Sequence, residues 1–117
     1  MKTPNRRKSV RLNREFPVTL CKDGGECIVP GVSANLSQVG AFVQTSFWRL
    51  FEVNDETIVS FLLPPDFTGQ DEIICLRGTA LVKRIEQMNE SIAVEFDKTF
   101  KQFQPVRTNY YESSFRS

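Results

Sequence analysis

The chain has 117 residues, 40% of them hydrophobic and 25% charged, with ten phenylalanines, three cysteines and no histidine, which is the make-up of one soluble globular domain with a modest core. Its apolar runs are too short to cross a bilayer, and the basic N-terminus is followed by no apolar stretch of the kind a signal peptide needs, so a cytoplasmic location without membrane insertion is expected. The net charge of +1 hides an asymmetry: Lys2, Arg6, Arg7, Lys8, Arg11 and Arg14 fall within residues 1–14 without one acid, leaving nine basic against fourteen acidic residues, a net of −5, in the remainder.

Residues 1–13 therefore read as a basic arm on an acidic body. Charge alone leaves three roles open for it: capture of a compact anion, contact with a nucleic-acid backbone, or a solvated tail. From "FPVTL" onward the pattern becomes that of short strands. "FPVTL" alternates toward Cys21, "KDGGE" is a turn supplied with glycines, and "CIVPGVSANL" returns. "GAFVQT" is the next strand, "SFWRLF" an apolar bend or a single helical turn, and "ETIVSFLL" a strand that stops at Pro64-Pro65. "DFTGQD" reads as a loop, "IICLRGTALVKRIE" as a long strand, "QMNE" as its turn and "SIAVEF" as the strand that pairs back. Several short strands with no helix between them predict an antiparallel barrel or sandwich rather than a parallel sheet.

The period then changes. Phe96, Phe100 and Phe103 are spaced i, i+4, i+7, which predicts a short helix capped by Asp97, ended by Pro105, and closing one mouth of the barrel with its apolar face. The resulting division is an arm over 1–13, a barrel with its closing helix over 14–104, and a tail over 105–117. The tail "VRTNYYESSFRS" is aromatic but weakly patterned; a frayed end, a second short helix and a partner-binding segment all fit it.

Two groups of residues carry chemistry. Arg7 and Arg11 form an Arg-x-x-x-Arg spacing, and some 24 residues later "NLSQVG" presents Asn35, Ser37 and Gly40 as Asn-x-Ser-x-x-Gly. An arginine fork bonds guanine O6 and N7 bidentately, stacks on a purine, or clamps phosphate oxygens. Asn35 offers an amide to a guanine edge, Ser37 a hydroxyl, and Gly40 either close backbone approach or positive φ. Taken singly, each has a plainer reading. The arginine spacing recurs by chance in basic segments, and Asn-x-Ser-x-x-Gly also describes a turn with a side-chain cap.

In this order, "RKSVR" followed by "NLSQVG", with "REFPVTL" as a first strand and "GTALVKRI…SIAVEF" as a closing hairpin, the chain resembles the PilZ domain, a bacterial receptor module for cyclic di-GMP. The resemblance implies an all-β fold, a six-stranded antiparallel β-barrel with a short C-terminal helix. It also implies a ligand site. Arg7 and Arg11 would grip phosphates and guanines from the arm, while Asn35 and Ser37 would bond a guanine edge from the barrel. Gly40 would keep the approach open. Arg6, just before the motif, would add a stacking or phosphate contact and accommodate a second, intercalated ligand molecule. The implied output is a downstream protein partner, such as motility or exopolysaccharide machinery. Two departures are visible: the first position of the second motif is Asn35 rather than Asp, and Ala93 stands where the family often has Gly.

Other functions have less to stand on. With no histidine, no nucleophile beside a base and no carboxylates at metal spacing, neither an enzyme nor a metal site is expected, and no cofactor beyond the ligand. Cys21 and Cys27 face each other only if the hairpin loop is the three residues 23–25, and packed thiols are the plainer state. Trp48 reads as core or rim. The alternatives are a small barrel that has lost its ligand and serves as a protein-interaction module, or a single-stranded nucleic-acid binder using exposed aromatics. The latter would weaken steeply with salt and be indifferent to Asn35.

Overall fold

A computed structural model of the chain describes residues 14–22 and 27–106. Arg6, Arg7 and Arg11 lie outside the described residues, as does the tail from residue 107. The strands are β1 (Phe16–Lys22), β2 (Cys27–Ala34), β3 (Gly40–Gln44), β4 (Glu56–Leu63), β5 (Ile74–Glu86), β6 (Ser91–Phe96) and β7 (Gln104–Val106), with one helical turn, α1 (Pro65–Thr68), between β4 and β5.

All strand pairs are antiparallel, in the order β4-β1-β2-β3-β6-β5-β7, and β4 also pairs with β5. That extra pairing closes a six-stranded barrel. Its length lets β5 do this: Ile74–Leu81 ladder against β4, and Ala80–Glu86 against β6. Closure removes the sheet edges that would otherwise expose unpaired backbone groups. The alternation read from the sequence supplies the interior. Phe16, Val18 and Leu20 of β1, Ala41 and Val43 of β3, Val59, Phe61 and Leu63 of β4, and Ile92, Val94 and Phe96 of β6 are all buried, because successive side chains on a strand point to opposite faces.

Three details depart from the sequence reading. The "DFTGQD" segment is not all loop: Pro65 stands at the first helical position and Gly69, at φ 80°, ends the turn in the left-handed region, the arrangement those two residues favour. After β6 the helical stretch is a single 3-10 turn, Phe100–Gln102, capped by a Thr99–Gln102 capping box rather than by Asp97. Pro105 does not end it but lies in β7, paired through Leu76 of β5. A longer helix does not form because the Lys101 N–H, which would make the first bond of a helix capped at Asp97, goes to the Gln38 side chain at 2.8 Å, and Gln104–Val106 ladder against β5. Phe96 N–H bonds the Val39 carbonyl (2.8 Å), Asp97 N–H the Thr79 carbonyl (2.9 Å) and Phe100 N–H the Gln38 carbonyl (2.8 Å). The β1–β2 register sets Cys27 opposite Lys22 and Cys21 opposite Ile28, so the three-residue loop that would bring the two cysteines face to face does not form, and Cys21 is a free thiol, the plainer state read from the sequence.

The predicted apolar stripe nevertheless assembles. Phe96, Phe100 and Phe103 gather around buried Phe61, with centroid separations from it of 6.0, 5.2 and 5.9 Å. Phe103 lies flat against Gly78, where a Cβ would enter its ring; that glycine is the space the ring occupies. Trp48 is partly buried against the core, with the Arg49 guanidinium 4.9 Å from its ring centroid.

Candidate functional site

The turn between β2 and β3 carries Asn35, Ser37 and Gly40, and it is held from several sides. Asn35 adopts φ 54°, a left-handed conformation that Asn tolerates better than most residues. Leu36 is driven into the core, 1% exposed. The Ser37 hydroxyl accepts the Val39 N–H at 3.2 Å, while Ser37 N–H donates to the Gly40 carbonyl at 2.9 Å. Gln38 is grasped from the C-terminal 3-10 turn, its carbonyl by Phe100 N–H and its side-chain oxygen by Lys101 N–H at 2.8 Å. Gly40 has ordinary φ, and its lack of a side chain serves a different end: a Cβ there would collide with the Val94 carbonyl of β6. Ser37 and Gly40 thus shape the turn. Asn35 is exposed on it.

Beside Asn35 lies an open trough of about 400 Å³ on the outside of the barrel, walled by Glu15, Phe42, Gln44, Arg84 and Glu86 as well as Asn35. That volume is within the ~300–1,000 Å³ usual for small-molecule sites. The register explains its shape. Ala34 of β2, Phe42 of β3, Ala93 of β6 and Arg84 of β5 follow one another as cross-strand partners, so small and large side chains alternate across four strands. Arg84 sits over the Phe42 ring, 5.3 Å from its centroid, and is ion-paired with Glu86.

The base of the arm is fixed at the same end. Arg14 makes a two-pronged bond to the Asp66 carboxylate of α1 (2.9 and 3.0 Å), with its guanidinium 5.3 Å from the Phe67 centroid and 5.6 Å from that of Phe16. Phe16 N–H bonds the Ser33 hydroxyl at 3.3 Å. The chain therefore enters β1 through Glu15, a wall of the trough.

Of the six residues singled out in the sequence, the structure sets Asn35 on the trough and Ser37 and Gly40 in the turn that holds it; Arg6, Arg7 and Arg11 lie outside the described residues. Sequence reasoning missed Glu15, Phe42, Arg84 and Glu86. Strand alternation marks Phe42 as outward-facing, but nothing in the sequence brings Arg84 to it. Among the described residues there is no group of three metal-ligating side chains, and no helix is long and apolar enough to cross a membrane.

The model of the PilZ domain family matches residues 5–104. Comparison with curated proteins finds no match. Among solved structures, the chain is similar to the Bacillus subtilis inhibitor of motility (MotI/DgrA), with a TM-score of 0.64 and 21% sequence identity over 85% of this chain and 46% of that one. This chain thus spans under half the length of that neighbour, and the likeness is one of fold. With the family model covering both the arm motif and the whole barrel, the chain belongs to the PilZ domain family.

Proposed function

We propose that this protein is a cyclic di-GMP receptor whose ligand bridges the arginines of the arm and the trough beside Asn35. The family is one of ligand-binding adaptor modules rather than of catalysts. The observation that carries the reading is Asn35 itself: an exposed amide on a turn whose other positions are packed or hydrogen-bonded, standing on the wall of a ligand-sized trough that Glu15 also lines. A rigid mount for one polar group is what orientation-specific recognition requires. The test is calorimetric titration with cyclic di-GMP beside cyclic di-AMP, GTP and GMP. A site that hydrogen-bonds the guanine edge leaves polar groups unpaired with adenine, so cyclic di-AMP is expected to bind at least about 100-fold more weakly. Equal affinities would overturn the reading. With Arg6 offering an extra planar cation, two ligands per chain are expected at saturation.

Signal output follows from the arm. Residues 1–12 carry much like charge and few apolar groups, so neutralisation of Arg7 and Arg11 by ligand phosphates is what draws the segment onto the barrel. The covered face is then a new surface for a protein partner. Motility machinery is one candidate, in keeping with the inhibitor of motility whose fold this chain shares; exopolysaccharide machinery is another. Limited trypsin digestion checks the step: cyclic di-GMP should slow cleavage after Arg7 and Arg11 far more than after Arg116. Unchanged arm cleavage under saturating ligand would show that the arm does not respond.

A further inference from the structure

Arg84 reaches the trough through a local irregularity in β5. On the β6 ladder Val82 pairs with Val94, but the next partner of Ala93 is Arg84 rather than Lys83; Lys83 is the extra residue of a bulge. Without it Arg84 would fall opposite Ile92, which is wholly buried. The bulge reverses the in–out parity of β5, so that Ile85 takes the place opposite Ile92 and Arg84 comes to the outer face. Bulges that re-aim a side chain in this way are concentrated next to functional sites.

Once outside, Arg84 is not left loose. Ala93 lies between it and Phe42 in the same cross-strand row, and an alanine is small enough to let the arginine extend over it and lay its guanidinium on the Phe42 ring. Glu86, 31% exposed, pairs with the guanidinium from the side. The guanidinium carbon thus lies over the phenyl ring, and the Glu86 carboxylate pairs with the Nε of the same group. The side chain remains 58% exposed and lines the trough that Asn35 shares. A planar cation seated over an aromatic ring and still exposed offers a stacking platform for a purine.

Building on the cyclic di-GMP reading, we propose that Arg84 is a ligand-positioning residue: a guanine ring stacks on its guanidinium, forming a Phe42–Arg84–guanine pile that aligns the base edge with Asn35. The platform comes from the barrel and is independent of the arm arginines. It depends on the plane of the guanidinium and not on charge alone, which separates it from an ordinary surface ion pair.

Titration of cyclic di-GMP into wild type, Arg84→Ala, Arg84→Lys, Phe42→Leu and the Phe42→Leu/Arg84→Ala double variant, with ligand-free melting of each, tests this. Loss of stacking should weaken binding about tenfold or more in Arg84→Ala, and Arg84→Lys should restore little, because it keeps the charge without the plane. Phe42→Leu should weaken binding when Arg84 is present and add almost nothing when it is absent, a coupling that a merely structural role would not produce. The ligand-free melting temperature of the Arg84 variants should match wild type. Wild-type affinity in Arg84→Ala, full rescue by lysine, or additive losses in the double variant would each overturn the platform while leaving the receptor reading intact. Failure of wild type itself to bind would remove both.

Discussion

Phe61→Ala is expected to lower the unfolding free energy by about 3–5 kcal/mol, the usual cost of emptying a buried phenylalanine site. Phe61 has no exposed surface and is shared by three other rings, those of Phe96, Phe100 and Phe103, so no single neighbour can collapse into the space it leaves. Domains of this size are stable by only about 5–15 kcal/mol, and the melting temperature should fall by at least about 10 °C. The effect reaches the site as well. The 3-10 turn packed on Phe61 supplies the two N–H groups that hold Gln38, and Gln38 belongs to the turn bearing Asn35. Phe61→Leu, which keeps most of the volume, should lose far less. Urea unfolding of both variants is the measurement, and a loss under about 1 kcal/mol for the alanine variant would contradict the packing described.

The second large effect falls on binding and spares the fold. Replacing both Arg7 and Arg11 by alanine should abolish measurable cyclic di-GMP binding, each charge-assisted contact accounting for about 1.5–3 kcal/mol. The buried core is built of hydrophobic side chains, which two arginines would not supply, so the ligand-free melting temperature should not change. The anchor of β1 is Arg14, through Asp66 and the Phe16 and Phe67 rings, and it is untouched in this variant. Titration and melting on the same preparation separate the outcomes. Retained affinity would dismiss the arm from the site, whereas a lowered melting temperature would mean that it belongs to the fold.

Aspartate is allowed at the Asn35 position by the motif, and the structure gives a second reason for the short polar pair: both tolerate the left-handed φ found there. Asn35→Asp should therefore fold normally, whereas Asn35→Ala mixes lost recognition with backbone strain. That makes the aspartate variant the cleaner probe of the amide.

Much of the architecture was legible before any coordinates, because strand alternation is a local signal. "ETIVSFLL" and "SIAVEF" read as strands on their own, since period two with β-branched and aromatic residues suits few other conformations. The paired motifs were equally legible, as spacing along the chain does not depend on the fold. The C-terminal phenylalanines show where local reading fails. A spacing of i, i+4, i+7 is a valid helix signal, yet the Lys101 N–H that would start such a helix bonds the Gln38 side chain and Gln104–Val106 pair with β5, so tertiary hydrogen bonding overrode the period. The same rings still formed one cluster, because burial of apolar surface is indifferent to the backbone that delivers it.

The chain alone thus determined the strand succession, the apolar interior and the residue types that a guanine nucleotide would need. Folding in three dimensions decided what those residues do. Ser37 and Gly40 became parts of a rigid turn because a hydroxyl finds the nearest backbone donor and a neighbouring strand claims the space beside Gly40. Arg14 met Asp66 across 52 positions of sequence, and Arg84 met Phe42 across a barrel seam whose register is shifted by one residue at Lys83. Pairings of that kind depend on closure and register, which are properties of the whole sheet, and no window of sequence contains them.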